Sequence, residues 1–177
     1  MRTKAVSREV LYPDEAVVKV AGAELAVLKA GALANERRRM RLCAHRSPQD
    51  ALHEMLIALG RDTYIRPHKH GGKSESFHVI EGQADVVFFD DAGGVTGAIA
   101  LGERGSGRYF YYRLADPWYH CVLVNSPVFV FHETTNGPFD PEQTTFAPWA
   151  PLEDDLPDQT AFVARLRAMV GVYRTSR

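Results

Sequence analysis

Over residues 63–134 apolar positions come in short runs, and Gly, Pro, Asn and Asp separate one run from the next. Such runs predict strands. They fall at 77–80, 84–89, 95–101, 108–114, 120–124 and 128–132. Glu81-Gly82-Gln83 reads as the turn of a hairpin between the first two, and Asp90-Asp91-Ala92-Gly93-Gly94 as the loop of a second. Residues 1–46 also read as β, with short strands at 17–20 and 24–28 parted by Ala21-Gly22, and an alternating stretch at 37–43. Two helices interrupt the pattern. Ser47 suits an N-cap, Pro48 the first helical position and Asp50 the first turn; Leu52, Met55, Leu56 and Leu59 then recur at helical spacing up to Gly60. Asp158 caps a last helix whose apolar stripe is Phe162, Leu166, Met169 and Val170. The coil before it contains Pro and Asp and is pinned to the body by Phe146, Trp149 and Leu152. The expected fold class is mainly β, a sandwich or barrel with a short helix before residue 60 and a C-terminal helix. Its parts are an N-terminal β segment (1–46) integrated with the barrel, a core (47–135), and ordered coil plus helix (136–177).

A chain of 177 residues suits one domain. Its 45% hydrophobic and 24% charged residues are ordinary for a globular protein. A net charge of -1 gives no electrostatic reason to expect a nucleic-acid partner. No run approaches a membrane span and the first twenty residues lack an apolar signal core, so a cytoplasmic protein without membrane contact is expected. Cys43 and Cys121 are too few for a disulfide framework and fall in apolar segments, as buried thiols do.

The chemistry gathers in Pro67-His68-Lys69-His70-Gly71-Gly72-Lys73-Ser74-Glu75. On an extended chain His68 and His70 point to one face. Two glycines let the backbone turn, and Glu75 can then aim back at both imidazoles. Imidazole with carboxylate suits Fe, Mn, Ni, Co or Zn without choosing among them.

The order His-x-His, four residues, Glu, six residues, Gly (His68, His70, Glu75, Gly82) resembles the first metal motif of the cupin family. The resemblance implies a single-domain jelly roll of two sheets and a fourth ligand, a histidine downstream, for which His120 is the candidate. The sequence departs from the family at Asp62, where a glycine is usual, and at Ala115, Pro117 and Val124 around the second motif. Residues 37–153 further resemble the WbuC family of cupin-fold metalloproteins, above all in Phe131-His132-Glu133-Thr134-Thr135-Asn136-Gly137-Pro138-Phe139 and Phe146-Ala147-Pro148-Trp149-Ala150-Pro151. That family's members tend to occur among bacterial surface-polysaccharide genes.

Three histidines and one carboxylate would leave one or two positions open on a divalent transition metal for water or substrate. Tyr64 and Arg66 precede the ligands and, with His132, are the candidate catalytic residues. Arg66 shares parity with His68 and His70, and its partner is either a substrate anion or an internal carboxylate. His132 and Glu133 at a strand end serve as general acid or base or make a structural hydrogen bond. Lys73 is a loop lysine, His78 has the parity opposite to Glu75, and Tyr109 and Tyr111 share a face. Arg37, Arg39 and Arg41 share one face of their strand, as a charged edge or as a cationic rim for phosphate or carboxylate. The expected function is metal-dependent isomerisation or epimerisation of a small polar, anionic or sugar-like substrate, the alternatives being an Fe-dependent dioxygenase and a non-catalytic binding module. Exposed sheet edges make a homodimer the expected assembly.

Overall fold

Period-two alternation becomes two sheets packed face to face in the computed structural model, which describes residues 1–175. Ser176 and Arg177, assigned from sequence to the C-terminal segment, lie outside the described residues. The chain runs β1 (Thr3–Ala5), β2 (Val10–Pro13), α1 (Gly22–Ala34), β3 (Arg39–Cys43), β4 (Leu52–Gly60), β5 (His68–His70), β6 (Glu75–Glu81), β7 (Gln83–Phe89), β8 (Val95–Gly102), β9 (Tyr111–Leu114), β10 (Tyr119–Val124) and β11 (Val128–Asn136). A 3-10 turn (Pro141–Gln143), β12 (Thr144–Phe146) and α2 (Leu156–Thr175) complete it. The larger sheet has the order β1-β2-β3-β4-β11-β6-β9 and the smaller β12-β5-β10-β7-β8. Strands are antiparallel except for β2 beside β3. This is the two-sheet jelly roll that the cupin resemblance implies.

Phe77, Val79, Val86, Phe88, Val122, Val124, Phe129 and Phe131 fill the space between the sheets. Leu28 and Ala32 of α1 cover the back of the larger sheet at Leu42, Ala58 and Val130. Phe162, Leu166 and Val170 of α2 cover the back of the smaller sheet at Val87, Phe89, Cys121 and Leu123. Strands β7 and β10 are therefore apolar on both faces. Cys43 and Cys121 are buried thiols.

Three local expectations are corrected. Residues 52–60 are strand β4, not a helix. Ile57 and Leu59 face the inter-sheet core while Leu56 and Ala58 lie against α1. A strand buried on both sides carries apolar residues at almost every position, so a helical spacing can be picked out of it. The capping signals make a turn instead: the Asp50 N–H donates to the Ser47 carbonyl and the Gln49 N–H to Ser47 Oγ. Residues 17–28 are coil and then helix α1, not two strands. Ala, Glu, Leu and Lys favour helix, and the Glu24 carboxylate accepts the Ala21 N–H at its start. Glu81-Gly82-Gln83 joins no hairpin, because β6 and β7 lie in different sheets. Gly82 makes that crossing at φ 83°, where an added Cβ would fall 2.2 Å from the Val128 carbonyl oxygen.

The second hairpin, β7 with β8, forms as expected. So does the C-terminal helix, although the Asp155 carboxylate, rather than that of Asp158, accepts the first-turn N–H. Asp85, 2% exposed on the helix-covered face of β7, accepts hydrogen bonds from Arg174 and from Asn125. Arg167 of the same helix donates to the Val124 carbonyl and to Asn125. Asp85→Ala is expected to cost about 1–3 kcal/mol by leaving these donors without their acceptor. Urea unfolding measures the cost, and faster proteolysis near residues 151–155 should accompany it as α2 loosens.

Candidate metal centre

Strand β5 is three residues long and extended, so His68 and His70 share its inner face while Lys69 points out, over the Tyr119 ring. Register does the rest. His120 of β10 lies directly opposite His68, and Thr144 of β12 lies opposite His70. After β5 the chain turns through Gly71 and Gly72, the latter at φ 71°, and enters the other sheet at Glu75. The Ser74 N–H and hydroxyl both donate to Asn136 Oδ1, which anchors that turn. Glu75 shares the inner face of β6 with Phe77 and Val79, and so looks across at the histidines. Strand β6 starts here, β10 starts at Tyr119 and β11 ends at Asn136, so the group sits at one end of the sandwich.

The ligand atoms of His68, His70 and His120 all lie within 4.8 Å of one another. Each ring is held by its Nδ1. Those of His68 and His120 meet the carbonyls of Arg66 and Trp118 at 2.8 and 2.9 Å, and that of His70 meets Thr144 Oγ1 at 3.2 Å. A carbonyl only accepts, so Nδ1 carries the hydrogen in His68 and His120, and Nε2 keeps a lone pair in the neutral ring. Glu75 Oε1 lies 3.1 Å from His120 Nε2, and Oε2 lies 3.7 Å from His70 Nε2. The Tyr112 hydroxyl donates to Oε1 at 2.5 Å. His120 is 2% exposed, and its Nε2 touches the carboxylate off the hydrogen-bond line, leaving a buried polar atom without a partner. Oriented imidazoles, a fixed carboxylate and an orphaned buried nitrogen fit a transition-metal ion.

The charges follow from burial and contact. Burial, then the neighbouring His120, pushes His68 down to about 4. Burial also lowers His70. For Glu75 burial acts upward, but His120 and the Tyr112 hydroxyl outweigh it and hold the carboxyl near 2. Burial depresses His120, and the adjacent Glu75 carboxylate more than reverses this, so its value is raised. Contact between the two thus favours a proton on His120 and an ionised Glu75.

A second carboxyl faces the same space. On β11 Phe129 and Phe131 point into the core, and Glu133 continues their alternation. It pairs with Met55 on one side and Phe77 on the other, making Cys43, Met55, Glu133, Phe77 and Tyr112 one row across the sheet. Glu75 is its diagonal neighbour on β6. Glu133 is half-buried and makes no hydrogen bond or ion pair among the described residues. Burial, then the Glu75 charge, pushes it up to about 8.

The structure brings His68, His70, Glu75 and His120 together and places the other three candidates differently. Tyr64 packs behind the smaller sheet, edge-on to Phe162, with its hydroxyl donating to the Pro151 carbonyl. Arg66 donates to the Ala147 carbonyl and lies over Phe146, neither of the partners expected for it, and its own carbonyl orients His68. Residues 63–67 are not in a strand, so strand parity does not apply to them. His132 shares parity with Val130, on the outer side of the larger sheet, 3.7 Å from Glu54. Its neighbour Glu133 is the inward residue of the pair. Tyr112 and Thr144 enter the site without having been singled out for it, and Glu133 was named only beside His132, as a general acid or base at a strand end. The alternation Phe129-x-Phe131-x-Glu133 was the available signal for the last.

A family model described as a domain of unknown function (DUF6016) matches residues 20–101. No curated protein matches the chain. Among solved structures the chain is similar to protein SO0799 from Shewanella oneidensis, with a TM-score of 0.50 and 10% identity over 60% of this chain and 72% of that one. It is similar to oxalate decarboxylase from Bacillus subtilis, with a TM-score of 0.47 and 17% identity over 61% of this chain and 27% of that one. Procruciferin, an 11S globulin from Brassica napus, gives 0.43 and 14% over 54% and 23%. The chain spans about a quarter of the length of these last two. At such identities the likeness concerns the fold alone.

Because contact with Glu75 favours a proton on His120 that a cation must displace, Zn(II) affinity is expected to rise with pH up to the raised value of His120 and to level off above it. Calorimetry at pH 6.5 in buffers of different ionisation enthalpy should show net proton release on binding. Binding without proton release would mean that His120 is neutral in the metal-free protein.

Proposed function

We propose that this protein is a metal-dependent enzyme of the cupin fold, acting by proton transfer on a small polar or anionic, sugar-like substrate. The observation that carries the metal is the set of three imidazoles, each fixed through Nδ1 so that Nε2 turns toward Glu75. His68, His70, His120 and Glu75 would hold the ion, which when bound would polarise a substrate carbonyl or hydroxyl. Tyr112 fixes the carboxylate by its hydrogen bond and shields it within the core. Glu133 supports the enzyme reading over a passive binding module. It is a carboxyl without a partner, on the open side of the same space, with its proton affinity raised into the range where it can both give and take a proton near neutrality. Two carboxyls side by side do not ionise equally, and here their surroundings separate them into an ionised ligand and a protonated acid.

This arrangement supports isomerisation or epimerisation, since both need one proton removed and returned beside a polarised carbonyl. The WbuC resemblance supports a place in surface-polysaccharide metabolism. Exposed Tyr109, Phe110 and Tyr111 beside the outer strand β9 support a homodimer.

Metal analysis of purified protein is expected to give about one transition-metal ion per chain, with His68→Ala and His120→Ala each losing most of it. In deuterated water the metal-loaded protein should exchange a carbon-bound hydrogen of a sugar or sugar acid, followed by proton NMR. Glu133→Gln should keep the metal and slow that exchange by roughly 100-fold. Tight ligand binding with no exchange would instead make the protein a binding module, and consumption of O₂ by the Fe-loaded form would make it a dioxygenase.

A further inference from the structure

Three arginines alternate along β3 and the residues before it, and the structure separates their fates. Arg37 pairs with Glu9 and Glu153, and so does Arg39. Arg41 makes no side-chain hydrogen bond or ion pair among the described residues, and its side chain is exposed. Its backbone is fixed, with the N–H donating to the Glu9 carbonyl at 2.8 Å. In register Arg41 lies opposite Ile57, which lies opposite Phe131, and both of those belong to the inter-sheet core. Arg41 therefore leaves the sheet on the inner side, where Glu133 also stands. Strand spacing and rise place the two Cα atoms about 12 Å apart. The Arg41 charge acts on Glu133, Cys43, Tyr12 and His45, so its head lies over the wall that these residues form.

We infer that Arg41 is the anion-recognition residue of this cleft, receiving the carboxylate or phosphate of a sugar-sized substrate whose other end reaches the three histidines. The inference rests on the metal-site reading of the previous section and adds the substrate's charge and length. A guanidinium takes a carboxylate or phosphate bidentately, and one already engaged by glutamates, as in Arg37 and Arg39, is not free to do so. The span from Arg41 past Glu133 to Glu75 crosses three strand spacings and four residues of rise, roughly 20 Å at the backbone. Side chains reaching in from both ends leave room for a six-carbon acid or a sugar phosphate rather than a two-carbon acid.

The test titrates the cobalt-loaded protein with D-gluconate and with neutral D-glucose, following heat and the cobalt visible spectrum. Wild type should bind gluconate more tightly than glucose. Arg41→Gln should weaken gluconate at least tenfold, leave glucose unchanged and take up cobalt normally. Arg41→Lys should recover part of the loss, and Arg37→Gln should behave as wild type. Equal gluconate affinity in wild type and Arg41→Gln overturns the inference, as does a wild type that does not prefer the acid. The same titration of metal-free protein keeps the two readings apart. Failure to take up cobalt, with gluconate binding still dependent on Arg41, overturns the metal site and leaves the anion site standing.

Discussion

The pairing of β5 with β10 is the constraint on which the rest depends. It sets His120 opposite His68, and a slip of one residue would turn the His120 ring away from the site. The register is safe because β10 has no freedom of its own. Both of its faces are buried, Val122 and Val124 in the inter-sheet core and Cys121 and Leu123 under α2. Helix α2 thus matters to the site although it supplies none of its side chains, because it buries the outer face of the strand that carries His120.

Electrostatics and packing meet at Glu75. A carboxylate that is 5% exposed among Phe77, Leu114 and Tyr112 is costly unless its charge is answered. His120 and the Tyr112 hydroxyl answer it, and a divalent cation would do so more fully. Glu133, a diagonal neighbour on the adjacent strand, has neither contact. The same amino acid is therefore pushed in opposite directions at two diagonally adjacent positions, toward its ionised form at Glu75 and toward its protonated form at Glu133.

The grouping of His68, His70 and Glu75 was legible in the sequence because it depends on short-range spacing, whereas His120 came only from the family resemblance. His68 and His70 need only an extended backbone, and Glu75 only a turn of the right length, both of which residues 67–75 encode locally. What escaped depends on the surroundings of a strand. Leu52–Gly60 shows apolar residues on two faces, since a helix covers the back of its sheet, and two-sided burial erases the alternation that would announce a strand. Tyr64 and Arg66 were assigned by parity in a segment that proves not to be extended sheet. His132 drew attention as a histidine, while the neighbouring glutamate had the right parity. Arg41 differs from Arg37 and Arg39 only through Glu9 and Glu153, which are distant in sequence and adjacent in space.

The last strand of the smaller sheet has a broader meaning. Strand β12 contributes no ligand, yet Thr144 steadies the His70 ring and Phe146 lies across from His68. The segment that follows β11 in the chain is thereby a splint for the short strand β5. Substitutions in residues 144–146 can consequently tune how firmly the imidazoles are aimed without touching an imidazole. Variation in this chain's tail can thus alter the aim of the three imidazoles while leaving the histidine motif itself intact.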